Sequence, residues 1–80
     1  MVDLEAAAGL HARPAAALAE TATRFRSNIH VRHGEREVDA KSVLMLLSLD
    51  VRQGDSIEIT ADGPDADDAV AALSALVHPA

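Results

Sequence analysis

The chain has 80 residues, room for a single domain over 1–80, with a core so small that nearly every element must contribute apolar surface. Thirteen acidic residues against 7 basic ones leave a formal charge of −6, and with 1% aromatic residues the chain offers nucleic acid neither a basic face nor a stacking platform. The absence of cysteine excludes disulfides and thiolate metal sites, and no stretch approaches the ~20 apolar residues of a membrane span, so no membrane insertion is expected.

The opening Met1-Val2-Asp3-Leu4-Glu5 has neither the basic start nor the apolar stretch of a secretion signal, and a cytoplasmic location is expected. Val2, Leu4 and Ala6 alternate with Asp3 and Glu5, which predicts a short half-buried strand ending at Gly9. From about Ala12 to Arg24 the period lengthens. Ala15, Leu18, Ala19, Ala22 and Phe25 fall on one helical face, with Glu20, Thr23 and Arg24 on the other. Ile29 and Val31 alternate with His30 and Arg32 in a second strand. The segment His33-Gly34-Glu35-Arg36 supplies a turn, where Gly34 takes a positive φ at little cost, and Val38 sits in a third strand.

Ser42 precedes the apolar run Val43-Leu44-Met45-Leu46-Leu47, which helix or buried strand would both accommodate. A hydroxyl at position 42 caps a helix well, and the run is too apolar all round for a surface helix on one core. It is read as a short helix whose outer face stays apolar for a partner. Gly54-Asp55 turns the chain into Ser56-Ile57-Glu58-Ile59-Thr60-Ala61, the clearest strand of the sequence. Asp62-Gly63-Pro64 ends it. Pro64 suits the first turn of a last helix, Asp65, Asp67 and Asp68 place negative charge at its positive end, and Val70, Leu73, Leu76 and Val77 form its buried stripe. The order βαββαβα, with strands joined by a hairpin, predicts an α+β fold: a mainly antiparallel sheet with helices on one face.

The strand-to-helix junction Gly9-Leu10-His11-Ala12-Arg13-Pro14 carries the chemistry. His11 falls at or just before the helix N-terminus, where the dipole and unpaired amides favour a neutral, nucleophilic ring. Once a phosphoryl group is attached, amides from Ala12 onward become donors to its oxygens, and Arg13 adds a positive fork. Pro14 removes an amide that lacks a helical partner and stiffens the first turn, although a residue before proline is biased away from helical geometry. A histidine beside a proline at a helix start is common by itself. The set of histidine, arginine and proline at one junction is not.

Gly9-Leu10-His11-Ala12-Arg13-Pro14-Ala15-Ala16 resembles the active-site signature of the HPr family, phosphocarriers of the bacterial phosphoenolpyruvate-dependent sugar phosphotransferase system. The resemblance continues at Ala40-Lys41-Ser42, Leu47-Ser48-Leu49, Gly54-Asp55 and Gly63. It implies an open-faced β-sandwich, a four-stranded antiparallel sheet covered on one face by three helices. It also implies that His11 takes a phosphoryl group on Nδ1 from phosphorylated Enzyme I and passes it to a IIA-type domain. Arg13 would steady that group, Ser42 matches a regulatory serine served by a kinase and phosphatase, and Val43, Leu44 and Leu47 match the partner-docking surface. Two departures bear on the regulatory segment: Met45 stands where many relatives have glycine, and Asp50 where glycine often ends the helix in a left-handed turn.

The likeness implies a monomeric carrier without cofactor, not an enzyme turning over a small substrate. A relay serving a dihydroxyacetone kinase or nitrogen metabolism shares the same chemistry, and a regulatory module acting through Ser42 is a further alternative. For Ser42 the cap is preferred to the switch; a phosphate there would block docking beside Val43 and Leu44 rather than unfold the helix. No metal site is expected: His30 and His33 lie on opposite strand faces and read as surface residues, and Asp65, Asp67 and Asp68 lack the spacing of a calcium loop.

Overall fold

The computed structural model describes residues 2–5 and 12–77, with side chains over 13–77. The predicted order is the observed one: β1 (Val2–Glu5), α1 (Ala12–Ala22), β2 (Asn28–His33), β3 (Arg36–Asp39), α2 (Val43–Ser48), β4 (Ser56–Asp62) and α3 (Ala66–Val77). The strands form one antiparallel sheet in the order β1-β4-β2-β3. Val31 of β2 faces both Val38 of β3 and Ile59 of β4, so the apolar members of three strands share one face. Ile29, Val31, Val38, Ile57 and Ile59 are buried there beneath the helices. The opposite face is polar, with Arg32 donating to Glu58 at 3.1 Å across β2 and β4. Period-2 patterning therefore sets both sheet faces.

The α1 stripe is buried as its spacing predicts, at Ala15, Leu18, Ala19 and Ala22. The helix itself ends at Ala22 rather than Arg24. Beyond it the bonds tighten to three-residue steps, Arg24 N to Thr21 O at 3.1 Å and Phe25 N to Ala22 O at 3.2 Å, so Phe25 packs against the core from a turn. Alanines at 15, 19, 22 and 69 are buried, small side chains that suit the packing of α1 against α3.

In α3 the expected stripe is corrected. Ala69, Leu73 and Val77 are buried and Val70 is partly so, whereas Leu76 is 45% exposed. Packing of α3 on β4 and α1 selects the i, i+4 row, which turns Leu76 outward. Pro64 lies in the turn before α3, not in its first turn, because Asp65 holds the capping position and its carbonyl accepts from Ala69 N at 2.9 Å. The Asp65 carboxylate does not act merely as helix-end charge. It turns away to accept from Arg26 N and Ser27 N, both at 2.9 Å, and from Ser27 Oγ at 2.6 Å. These bonds, led by the Ser27 hydroxyl, hold its carboxyl below the usual carboxylate range.

Candidate functional site

Helix α1 begins at Ala12, the residue after His11 in the chain. His11 itself, with Gly9 and Leu10, lies outside the described residues, as do His78 and the expected end of the first strand at Gly9. Arg13 is exposed and Pro14 half-buried, both within the first turn of α1. The bias of a residue preceding proline does not break the helix, which runs from Ala12 to Ala22 without interruption. The leading amides of any helix lack intrahelical partners, so the backbone at Ala12 and Arg13 is a donor pair at the positive end of the α1 dipole.

The second component is α2, which packs against α1. Ser42 is its N-cap in extended geometry, accepting from Met45 N at 3.3 Å, while its carbonyl accepts from Leu46 N at 3.0 Å. The backbone of the cap is fixed in turn by Ser42 N donating to Asp39 O at 3.2 Å. Of the apolar run only Leu46 is fully buried. Val43 is 37% exposed, Leu44 79%, Met45 43% and Leu47 36%. The helix thus presents four apolar side chains to solvent and anchors itself on one, as its all-round hydrophobicity predicts. The resemblance named three of the four; Met45 joins them through its own exposure.

At the far end Asp50 has φ +52°, the left-handed conformation that usually falls to glycine. His33 departs from the reading of it as a free surface residue. It is half-buried, with Nδ1 2.9 Å from Leu49 O and Nε2 3.2 Å from an Asp55 carboxylate oxygen. Nothing local in the sequence marks this contact, which arises where the β2–β3 hairpin reaches α2. Among the described residues no group of three or more histidine, aspartate or glutamate side chains gathers as a metal-holding set. No helix among them is long and apolar enough to cross a membrane.

The family model for the PTS HPr component phosphorylation site matches residues 1–78. The chain belongs to the HPr family. It is similar to the phosphocarrier protein HPr of Mycoplasma capricolum, with 43% identity over 65 residues, covering 81% of this chain and 73% of that protein. It is also 45% identical over 70 residues to the phosphoryl donor subunit DhaM of the PEP-dependent dihydroxyacetone kinase of Providencia stuartii. That alignment covers 88% of this chain but only 15% of the DhaM subunit, so the chain corresponds to one part of a much longer relative. Among solved structures, the HPr of Bacillus anthracis str. Ames superimposes with a TM-score of 0.92 at 37% identity, covering 96% of this chain and 94% of that one. The HPr-like α+β fold and membership of a phosphocarrier family are thereby established.

Proposed function

We propose that residues 1–80 act as one carrier domain, in which His11 accepts a phosphoryl group on Nδ1 from phosphorylated Enzyme I and hands it to a IIA-type domain. The observation that carries this reading is the start of α1 at Ala12, with exposed Arg13 in its first turn, directly after His11 in an HPr-family chain. In the transfer step the Nδ1 lone pair of His11 forms the new N–P bond as the donor's N–P bond breaks, and the donor imidazole leaves as the neutral ring. Phosphoryl transfer needs alignment and charge stabilisation more than covalent chemistry from the protein. The amides of Ala12 and Arg13 and the Arg13 guanidinium supply the second, and Pro14 stiffens the turn that holds them. Docking of the partner on Val43, Leu44, Met45 and Leu47 supplies the first, burying apolar surface that α2 leaves exposed.

Ser42 acts in this reading as the cap of α2, its hydroxyl engaged with Met45 N. A phosphate there, added by a serine kinase, would place charge beside Val43 and Leu44 and oppose docking.

The similarity to the DhaM phosphoryl donor subunit favours a second acceptor, the relay of a dihydroxyacetone kinase. The two are separated by loading the chain with phosphoenolpyruvate and Enzyme I, then offering it a IIA-type domain and a dihydroxyacetone kinase in parallel. Transfer to the first supports the sugar relay and transfer to the second the kinase relay. Arg13→Glu is expected to slow both loading and transfer at least ~100-fold, in line with loss of a preorganised charge contact. Unchanged rates in that variant contradict its role.

A further inference from the structure

The docking face is presented by a helix of 6 residues, far below the length at which a helix is stable in isolation. Beyond its Leu46 anchor, its orientation therefore depends on what grips its two ends. Ser42 holds the first. The second is held by one hairpin. Arg36 donates from Nη1 to Ser48 O and from Nη2 to Ser48 Oγ at 3.1 Å, while His33 Nδ1 lies 2.9 Å from Leu49 O. His33 and Arg36 are register partners flanking the Gly34-Glu35 turn, so both reach α2 from the same tip of the sheet.

A carbonyl oxygen only accepts, so Nδ1 must carry a proton to bond Leu49 O; a carboxylate likewise only accepts, so Nε2 donates to Asp55 when the ring carries both protons. The other nitrogen faces Asp55, whose carboxylate is itself fixed by Arg52 N at 3.0 Å. Carrying both protons, the ring ties the C-cap of α2 to the residue that precedes β4. Donors at the final carbonyls of a helix satisfy groups left without intrahelical partners, and the Arg36 charge suits the negative end of the dipole.

We propose that His33, with Arg36, is a positioning residue for phosphoryl transfer: the two side chains clamp the C-terminal end of α2 and hold its apolar face in the orientation a partner docks on. The inference rests on the carrier reading for its function and on the geometry of residues 33, 36, 48, 49 and 55 for the clamp.

Three readouts test it together. Amide exchange is followed in His33→Ala, His33→Asn and Arg36→Ala, and the KM and kcat for phosphorylated Enzyme I are measured on the same variants. Loss of the clamp should speed exchange about three- to tenfold at Leu49 and Asp50, whose amides close the end of α2, while Val31 and Ile59 in the sheet keep their protection. The KM should rise by a similar factor with kcat unchanged. His33→Asn, whose side-chain amide can still donate to Leu49 O, should recover most of both. In the wild type, ring nitrogen NMR should find a proton on His33 Nδ1.

Unchanged exchange at residues 49 and 50, a uniform rise across the sheet, or an unchanged KM overturns the proposal, as does a ring with no proton on Nδ1. A wild-type chain that takes no phosphoryl group defeats the carrier reading and the docking role with it. The exchange pattern then still decides whether the clamp exists.

Discussion

The Ser27 hydroxyl donates to the Asp65 carboxylate at 2.6 Å and accepts from the Asp65 backbone amide at 3.3 Å, a reciprocal pair that fastens the entry to β2 onto the start of α3. Ser27 is fully buried, so its hydroxyl has no water to fall back on. Ser27→Ala should cost about 1–2 kcal/mol of stability, measured by denaturant unfolding, because the bonds of the buried hydroxyl to the half-buried Asp65 are lost. The same pair predicts an acid limb. Asp65 is held below its ordinary value of 3.8, so its contribution is complete above that pH and is lost as pH falls through the lowered value. The gap in Tm between the wild type and Asp65→Asn should be widest near neutrality and narrow in acid. A gap constant down to strongly acidic pH contradicts this.

Gly63 makes that junction possible. A Cβ at this position would lie 2.7 Å from Ser27 Cα, a backbone atom that no rotamer change can move, and the glycine has φ +150°. Gly63→Ala should therefore destabilise the fold by about 2–4 kcal/mol, combining the conformational penalty with overpacking. Gly54→Ala serves as the comparison. It has φ +89° but open space around it, so it should carry the conformational penalty alone and unfold at the higher denaturant concentration of the two.

These long-range polar contacts are what the sequence does not disclose. Alternation in β4 and the spacing of α1 are local consequences of backbone geometry, so they can be read directly, and so can a serine at the head of an apolar run. The pairing of Asp65 with Ser27 joins residues 38 apart, and that of His33 with Leu49 joins residues 16 apart. Neither leaves a local pattern. The phase of α3 is a related case: Leu76 and Ala69 both fit an apolar face, and contact with β4 and α1 decides that the small residue is buried and the large one exposed. At the site, the motif around Arg13 and the exposed run after Ser42 were legible because each is contiguous in sequence. The clamp on the far end of α2 was not, since its parts come from three segments.

Asp50 closes α2 in the left-handed region, where a side chain crowds the backbone. Its contact with Arg52 at 3.4 Å joins two side chains that are each 79% exposed, and such a pair contributes little. Asp50→Gly should therefore raise stability by roughly 0.5–1 kcal/mol, as glycine relieves the strain at a helix end. A loss of stability in thermal unfolding would mean that the Arg52 contact outweighs it.

Two leucines of α2 separate docking from folding. Leu46 is fully buried and Leu44 is 79% exposed. Leu46→Ala should cost about 2–4 kcal/mol through lost burial and the cavity it leaves. Leu44→Glu should change stability by less than ~0.5 kcal/mol yet raise the KM for phosphorylated Enzyme I about tenfold or more, since a charge would have to be desolvated at the interface. Equal KM values for Leu44→Glu and the wild type would remove α2 from the docking surface.

The central claim is that His11 carries the phosphoryl group. Its most direct test is the intact mass of the chain after incubation with phosphoenolpyruvate and Enzyme I, alongside His11→Ala treated identically. The account predicts the gain of one acid-labile phosphoryl group by the wild type and none by the variant. The same gain in both, or none in the wild type with an Enzyme I that loads another HPr, would contradict it.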